Sequence, residues 1–407
     1  MQNIFQDFTS KSAIFRDKEV LRSSYIPARL PHRTKQIKIL AAALSPTLKS
    51  EKPPNIFVYG GRGSGKTTTV KYVSTELGEM CKKTGIKCSI VYINGEIFDT
   101  QYRVFAYLAR VFNKRVPMIG WPTDVVYSEF KDVVDTEERC VIVILDNVDK
   151  LASKGDEALY NLSRVNSELT KARLSIISIS DDLTFMELQD PEVRASLTEE
   201  EILFPPYDAY QLKDIIEDRE EKAFNVSMID ERVIPSCVAF AVQEEHGNAR
   251  YALDLLIESG EIAERQESKQ VTEKHVRLAK EQIEESGITE MVKMLSWQSK
   301  IILNAVILLT DAKSKRCFFS GEVYDIYQKI CAQLDTETLT QRRVTDLISE
   351  LDFLGLIKAR VVNRGRYGRT KEISLSAPVE CVRSALAGDI TLETASGINV
   401  KAETGIV

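Results

Sequence analysis

The stretch Tyr59-Gly60-Gly61-Arg62-Gly63-Ser64-Gly65-Lys66-Thr67-Thr68 constrains the fold more than any other part of the chain, because it fits the pattern G-x-x-x-x-G-K-[ST]. Glycine tolerates backbone angles closed to other residues, so such a loop can wrap with its N–H groups turned inward, onto phosphate oxygens at a helix N-terminus. Gly60, Gly61, Arg62, Gly63, Ser64, Gly65, Lys66, Thr67 and Thr68 are the candidate nucleotide-binding residues. Lys66 is placed to reach the β- and γ-phosphates of ATP, and the Thr67 hydroxyl to ligate Mg²⁺. A plain flexible glycine loop is the alternative, and the context argues against it. Pro53-Pro54 introduces a short run of strand formers, Asn55–Tyr59, and Val70, Tyr72, Val73, Leu77, Met80 and Cys81 then recur at helical spacing up to Gly85. Strand, glycine-rich turn and helix are the order this chemistry requires.

The remaining strands extend the pattern. Lys87–Asn94 reads as a second buried strand, and Phe105, Leu108, Ala109 and Phe112 as one helix face. Cys140–Leu145 is a continuous apolar run, hence a strand covered on both faces and central in a parallel sheet. It ends in Asp146-Asn147-Val148-Asp149, and an acid at that end of an open α/β sheet lies where ligands bind. Asp146 is therefore the candidate Mg²⁺ carboxylate, while Asp149 reads equally as a helix cap. Leu174–Ser180 and Glu201–Phe204 are further strands, the first running into Asp181. The expectation is a doubly wound parallel sheet over residues 1–206, followed by an all-helical lid over 207–287. Arg250, at the start of a long amphipathic lid helix, is a candidate to reach phosphate when lid and core close, and capping or solvating the lid is its plain alternative.

A third unit is expected over residues 288–386. Two apolar helices, Trp297–Leu309 and Phe319–Leu334, precede a third that Thr340 is suited to cap, with Val344, Leu347, Ile348, Leu351 and Leu354 on one face. Two strands follow, Leu356–Val362 and Ile373–Leu375, around a turn rich in arginine. Three helices and a basic-tipped hairpin make a winged helix. Its candidate DNA contacts are Gln341, Arg342, Arg343 and Thr345 at the helix start and Arg364, Gly365, Arg366, Tyr367 and Arg369 in the turn. A basic, Pro/Gly-broken insertion over 113–122 supplies Lys114, Arg115, Val116, Pro117 and Gly120 beside Trp121. It reads as a surface turn or as a DNA-touching loop. The tail 387–407 has little pattern and is expected to be poorly ordered.

The formal net charge of −6 excludes a general basic coat for nucleic acid but not local basic patches. The 43% hydrophobic and 28% charged content fits a globular protein of two to three domains. Seven scattered cysteines form no C-x-x-C pair, so neither a zinc site nor a disulfide framework is suggested. With no signal peptide and no apolar run of spanning length, a cytoplasmic, nucleoid-associated protein without a membrane partner is expected.

The chain resembles the archaeal origin-recognition and helicase-loader family of AAA+ ATPases, which are similar to the largest subunit of the eukaryotic origin recognition complex and to the eukaryotic loading factor. The resemblance rests on YIPARLPHR, GGRGSGKTT, VILDNVDK, DPEVRASLTEEEILFPPYDAYQL, HGNARYALDLL and the winged-helix pattern, in that order, over residues 25–386. It implies ATP/ADP and Mg²⁺ as cofactors. Double-stranded origin DNA, other initiator paralogues and the replicative helicase are the implied partners. By resemblance, the first stretch touches the adenine, Arg250 is the lid arginine, Val116-Pro117 with Gly120 belong to an origin-contacting insertion, 341–346 form the recognition helix and 363–369 the wing. Three positions depart from the family pattern. Asn147 stands where glutamate is usual, Asp181 where asparagine is usual, and Glu192 where arginine is common, with Arg194 nearby as a possible finger. A carboxamide cannot accept a proton from attacking water, so an initiator that uses nucleotide as a slow switch is expected. On this reading Lys66, Asp146, Asn147, Asp181 and Arg250 carry whatever slow ATPase chemistry remains. A regulatory paralogue, an ATP-switched winged-helix transcriptional regulator and a loader without sequence preference are the rival readings. The regulator is disfavoured because the chain has no spare length for an effector domain.

Overall fold

The apolar run that ends at Asp146 becomes the middle of a parallel sheet. In a computed structural model that describes residues 14–117, 119–152, 155, 157–312, 317–363 and 369–387, the chain divides into two compact units, Met1–Ala279 and Lys280–Val407. In the first, α1 (Thr34–Leu44) leads to β1 (Ile56–Tyr59), the glycine-rich loop and α2 (Lys66–Thr84). Then come β2 (Cys88–Asn94), α3 (Gln101–Val111), α4 (Thr123–Val134), β3 (Cys140–Asp146), α5 (Val148–Ala152) and α6 (Glu157–Arg164). β4 (Arg173–Ser180), α7 (Pro191–Leu197) and β5 (Glu200–Leu203) complete this layer.

The five strands are parallel, in the order β2-β3-β4-β1-β5. Successive side chains of a strand point to opposite faces. Val141, Val143 and Leu145 of β3 accordingly join the cluster under α3, α4 and α6, while Ile142 and Ile144 join the one under α1 and α2. Every residue of β3 is buried because both of its faces are covered, which is why the run is apolar without alternation. Register brings the strand ends level. Asp146 pairs with Asn94 on one side and Ile179 on the other, and Tyr59 pairs with Ser180. The loop after β1, the acid ending β3 and the residues after β4 therefore share one edge of the sheet.

The rest of the first unit is helical: α8 (Ala209–Ala223), α9 (Val233–Gln243), α10 (Ala249–Arg265) and the first part of α11 (Glu273–Met294), which runs through the division between units. Asp208 and Gln211 form a capping box on α8. Asn248 caps α10 through bonds from the N–H groups of Arg250 and Tyr251. This stretch, read as purely helical, also contains one isolated bridge, Ile229 to Val271. Residues 14–22, grouped by chain position with the sheet, pack instead on these helices. Phe15 bridges to Phe224, the Arg16 N–H donates to the Ala223 carbonyl, and Arg219 donates to the Val20 carbonyl at 2.8 Å. Gly260 makes room for this segment, since a Cβ there would lie 2.2 Å from the Phe15 ring.

The second unit contains α12 (Trp297–Ala312), β6 (Phe318–Phe319), α13 (Ser320–Gln333), α14 (Gln341–Phe353), β7 (Ile357–Asn363), β8 (Arg369–Leu375) and α15 (Val379–Ala387). Its antiparallel sheet runs β6-β8-β7. Thr340 caps α14 by accepting from the Arg343 N–H. The winged-helix arrangement is present, with two elements beyond the three helices and hairpin expected. Strand β6 pairs with β8, and α15 buries Val382, Ala385 and Leu386 in the same core.

Candidate functional site

The glycine-rich loop sits between the sheet edge and the helical lid, and close approach requires glycine at Gly60, Gly63 and Gly65. Gly63 has φ +67, and a Cβ there would lie 1.8 Å from the Asn248 side chain at the start of α10. The Ala249 N–H donates to the Gly63 carbonyl at 3.3 Å, so the lid helix begins directly against the loop. Gly65 has φ +87, and its added Cβ would meet the Tyr207 hydroxyl at 2.6 Å. Gly61 and Arg62 are exposed, Gly60 and Ser64 are buried, and Thr68 is half-buried.

Lys66 is buried and its ammonium is fully engaged. It donates to the carbonyls of Gly60 at 2.7 Å and Gly61 at 2.9 Å, and pairs with the Asp181 carboxylate at 2.6 Å. Asp181 also faces the exposed Arg62 guanidinium at 3.6 Å. The Thr67 hydroxyl donates to Asp146 at 3.0 Å, and the Tyr92 hydroxyl to the same carboxylate at 2.6 Å. Burial, then the adjacent Asp146, pushes the Tyr92 phenol above its ordinary range, so it stays protonated and acts as a donor. Arg250 opens α10, its backbone N–H donating to the Asn248 side chain at 3.0 Å, and its charge works in the opposite sense on Tyr92. Asn147 stands at φ 54, its amide donating to the Asn94 side chain at 3.2 Å. Asp149 is not the cap of α5; it lies in the first turn of that helix and accepts from the Ser180 hydroxyl at 3.2 Å. Arg194 is exposed on α7, and Glu192 pairs with Arg164 at 3.7 Å.

The residues fit a magnesium nucleotide. A hydroxyl and a carboxylate, both hard oxygen donors suited to Mg²⁺, meet at Thr67 and Asp146, and the amino-terminal end of α2 lies beside them. Lys66, Thr67, Asp146, Asn147 and Asp181 share this one sheet edge, and Arg250 lies in the first turn of the lid helix that begins against the loop. Three further residues escaped the sequence reading. Arg33 donates to the carbonyls of Ser64 at 2.9 Å and Pro205 at 2.6 Å, and stacks over Tyr207 with its guanidinium carbon 3.8 Å from the ring centre. The third is Tyr92, whose signal in the sequence is a phenol set among the apolar Ile90, Val91 and Ile93 of β2.

The insertion behaves unevenly. Arg115 and Gly120 are exposed and Trp121 is 40% exposed, while Lys114 is paired with Glu129. Val116 corrects the expectation of a DNA contact there: it is 2% exposed and belongs to the core under α3 and α4. Its carbonyl accepts from Arg110 at 2.6 Å and that of Pro117 from Tyr102 at 3.1 Å, so both residues anchor the loop. In the second unit Gln341, Arg342 and Arg343 are exposed at the start of α14, and the half-buried Thr345 returns its hydroxyl to the Gln341 carbonyl. Arg364, Gly365, Arg366 and Tyr367 lie outside the described residues. Arg369 opens β8, and its side chain is likewise outside them. Among the described residues, no cluster of three or more His, Cys, Asp or Glu forms a metal site, and no helix is long and apolar enough to cross a membrane.

Comparison with known families matches residues 29–177 to the AAA ATPase domain, 213–281 to the Cdc6 AAA+ ATPase-type lid domain and 290–385 to the CDC6 C-terminal winged helix domain. The chain is 51% identical to the ORC1-type DNA replication protein 1 of Methanosarcina mazei, over 97% of this chain and 95% of that one. It is 50% identical to the ORC1-type DNA replication protein of Pyrococcus furiosus, over 99% and 97% respectively. Among solved structures, it is similar to the Aeropyrum pernix ORC1 protein in complex with DNA, with a TM-score of 0.85 and 39% identity over 95% of this chain and 100% of that one.

Proposed function

The chain belongs to the Cdc6/ORC1-type family of AAA+ ATPases, and on that premise we propose that it is a DNA replication initiator that binds duplex origin DNA under the control of a magnesium nucleotide held between core and lid. One observation carries the reading: Lys66, Thr67 and Asp146 meet on the sheet edge against which the lid helix begins, with Ala249 bonded to Gly63. A nucleotide there touches both parts at once, so gain or loss of its outer phosphate biases how lid and core close. Thr67 and Asp146 would hold Mg²⁺, the loop N–H groups and Lys66 the phosphates, and Arg250 the phosphate side of the lid. DNA is gripped by the exposed start of α14, by the arginine-rich stretch 363–369 and by Arg115 with Gly120 in the insertion. Recruitment of the replicative helicase belongs to the same reading and is supported by kinship alone. The departures at Asn147 and Asp181 favour a second reading inside the family, a paralogue that modulates another initiator and holds nucleotide for long periods.

A footprint across the host's origins with ATP, with ADP and without nucleotide tests the proposal. Protection of origin sequence above random duplex, altered by nucleotide, is expected; equal protection of any duplex removes the origin-binding part. Arg342→Ala and Arg343→Ala are each expected to weaken origin binding by about 10-fold, within the range of a lost base contact. If both residues contact phosphate, the double variant also lowers the slope of log affinity against log salt by roughly 2. Unchanged binding by the double variant takes α14 out of the interface.

A further inference from the structure

We propose that Asp181 makes the nucleotide site selective for a diphosphate over a triphosphate. This deepens the reading above and rests on it. A lysine ammonium has three N–H donors, and those of Lys66 are taken by the Gly60 carbonyl, the Gly61 carbonyl and Asp181 at 2.7, 2.9 and 2.6 Å. The lysine side chain is only 4% exposed, so water does not screen the pair from its side. Strand β4 lies between β1 and β3, and Ser180 at its end is level with Tyr59. Asp181, the next residue, therefore stands between the phosphate loop and the Asp146 carboxylate.

That gap is where the outermost phosphate of a triphosphate has to go if Lys66 is to reach it while Thr67 and Asp146 hold the metal. A diphosphate engages the loop N–H groups and leaves the Lys66–Asp181 pair intact. A triphosphate must either part the pair or set its own negative charge against a carboxylate. Repulsion of this kind selects against the wrong ligand without improving contacts to the right one. Arg62 faces the same carboxylate at 3.6 Å but is 77% exposed, so it offsets little of that charge.

The experiment is calorimetric titration of the nucleotide-stripped full chain with MgADP and with a non-hydrolysable MgATP analogue, for wild type, Asp181→Asn and Asp181→Ala. Like charges a few ångströms apart at a partly exposed site set the expected size, so wild type should bind ADP tighter by about tenfold or more. Both variants should bring the two affinities within about threefold, mainly by tightening the analogue. The alanine variant removes charge without adding a donor, and it serves alone if the asparagine variant does not fold. Equal wild-type affinities overturn the inference and leave the nucleotide site standing. So does an unchanged ratio in the variants with both affinities weakened, which would make Asp181 a mere organiser of Lys66. Failure of wild type to bind either nucleotide sinks the nucleotide site itself.

Discussion

Asn147→Glu is expected to raise ATP turnover by about 10²-fold, read as steady-state phosphate release from the full chain, because a positioned general base typically contributes 10²–10⁴ in rate. Asn147 follows Asp146 at the end of β3, beside the atoms that would hold Mg²⁺. Its amide can orient a water but cannot take a proton from it. A competing cost is the backbone. Asn147 sits at φ 54, a conformation asparagine adopts readily and glutamate only at a cost of about 1–2 kcal/mol. That cost falls on folding rather than on the chemical barrier, and it is smaller than the 5–15 kcal/mol stability of an ordinary domain. Asn147→Asp is the companion variant, since aspartate also tolerates this backbone and supplies a shorter carboxylate. A wild-type rate of about one per second, an ordinary enzyme turnover, removes the slow-switch reading outright. Slow wild-type turnover that neither variant raises places the slow step outside proton abstraction.

The elements legible in the sequence are those whose signals are local. Strand, glycine turn and helix around Lys66 lie within thirty-odd residues and agree with one another, so β1, the loop and α2 emerge from residues 55–85 alone. Strand β3 was legible because burial on both faces leaves no room for polar alternation, and α14 because Thr340 caps a clear apolar stripe. The missed elements depend on distant partners. Helix α4 follows a Gly-Trp-Pro turn that reads as loop, and its Val126, Phe130 and Val134 gain meaning only from packing beside α3. The two residues of β6 become a strand only because Phe318 pairs with Ile373. The same distinction holds within the site. Lys66, Thr67 and Asp146 follow from motif spacing, whereas Tyr92 joins them through the register of β2 on β3, which no local pattern encodes. Val116 shows the limit of both a basic neighbourhood and a family resemblance as signals, because its own apolar side chain is claimed by the core.

Arg33→Ala is expected to destabilise the first unit by about 2–4 kcal/mol and to abolish nucleotide retention, the stability loss being typical of a large buried side chain removed with its hydrogen bonds. Arg33 is 2% exposed, one of the largest fully buried side chains among the described residues. Its Nε holds the Ser64 carbonyl and one terminal nitrogen the Pro205 carbonyl, 141 residues further along, so a single planar group ties the phosphate loop to the segment that leads into the lid. Burial lowers its affinity for a proton, and Tyr207 beside it partly offsets this. Alanine would leave two carbonyls without their partner and a void against Tyr207 and Phe204, and an unmade bond to a buried polar group costs more than the bond contributes when made. A loss of this size in a unit of this length corresponds to a fall in melting temperature of roughly 5–10 °C. Arg33→Lys separates the two effects. It keeps the charge but not the fork that spans both carbonyls, so it should recover part of the stability while the loop remains free to turn its N–H groups away from phosphate. A lysine variant with wild-type nucleotide affinity would show that Arg33 only fills space, and an alanine variant that melts within about a degree of wild type would show that it does not even do that.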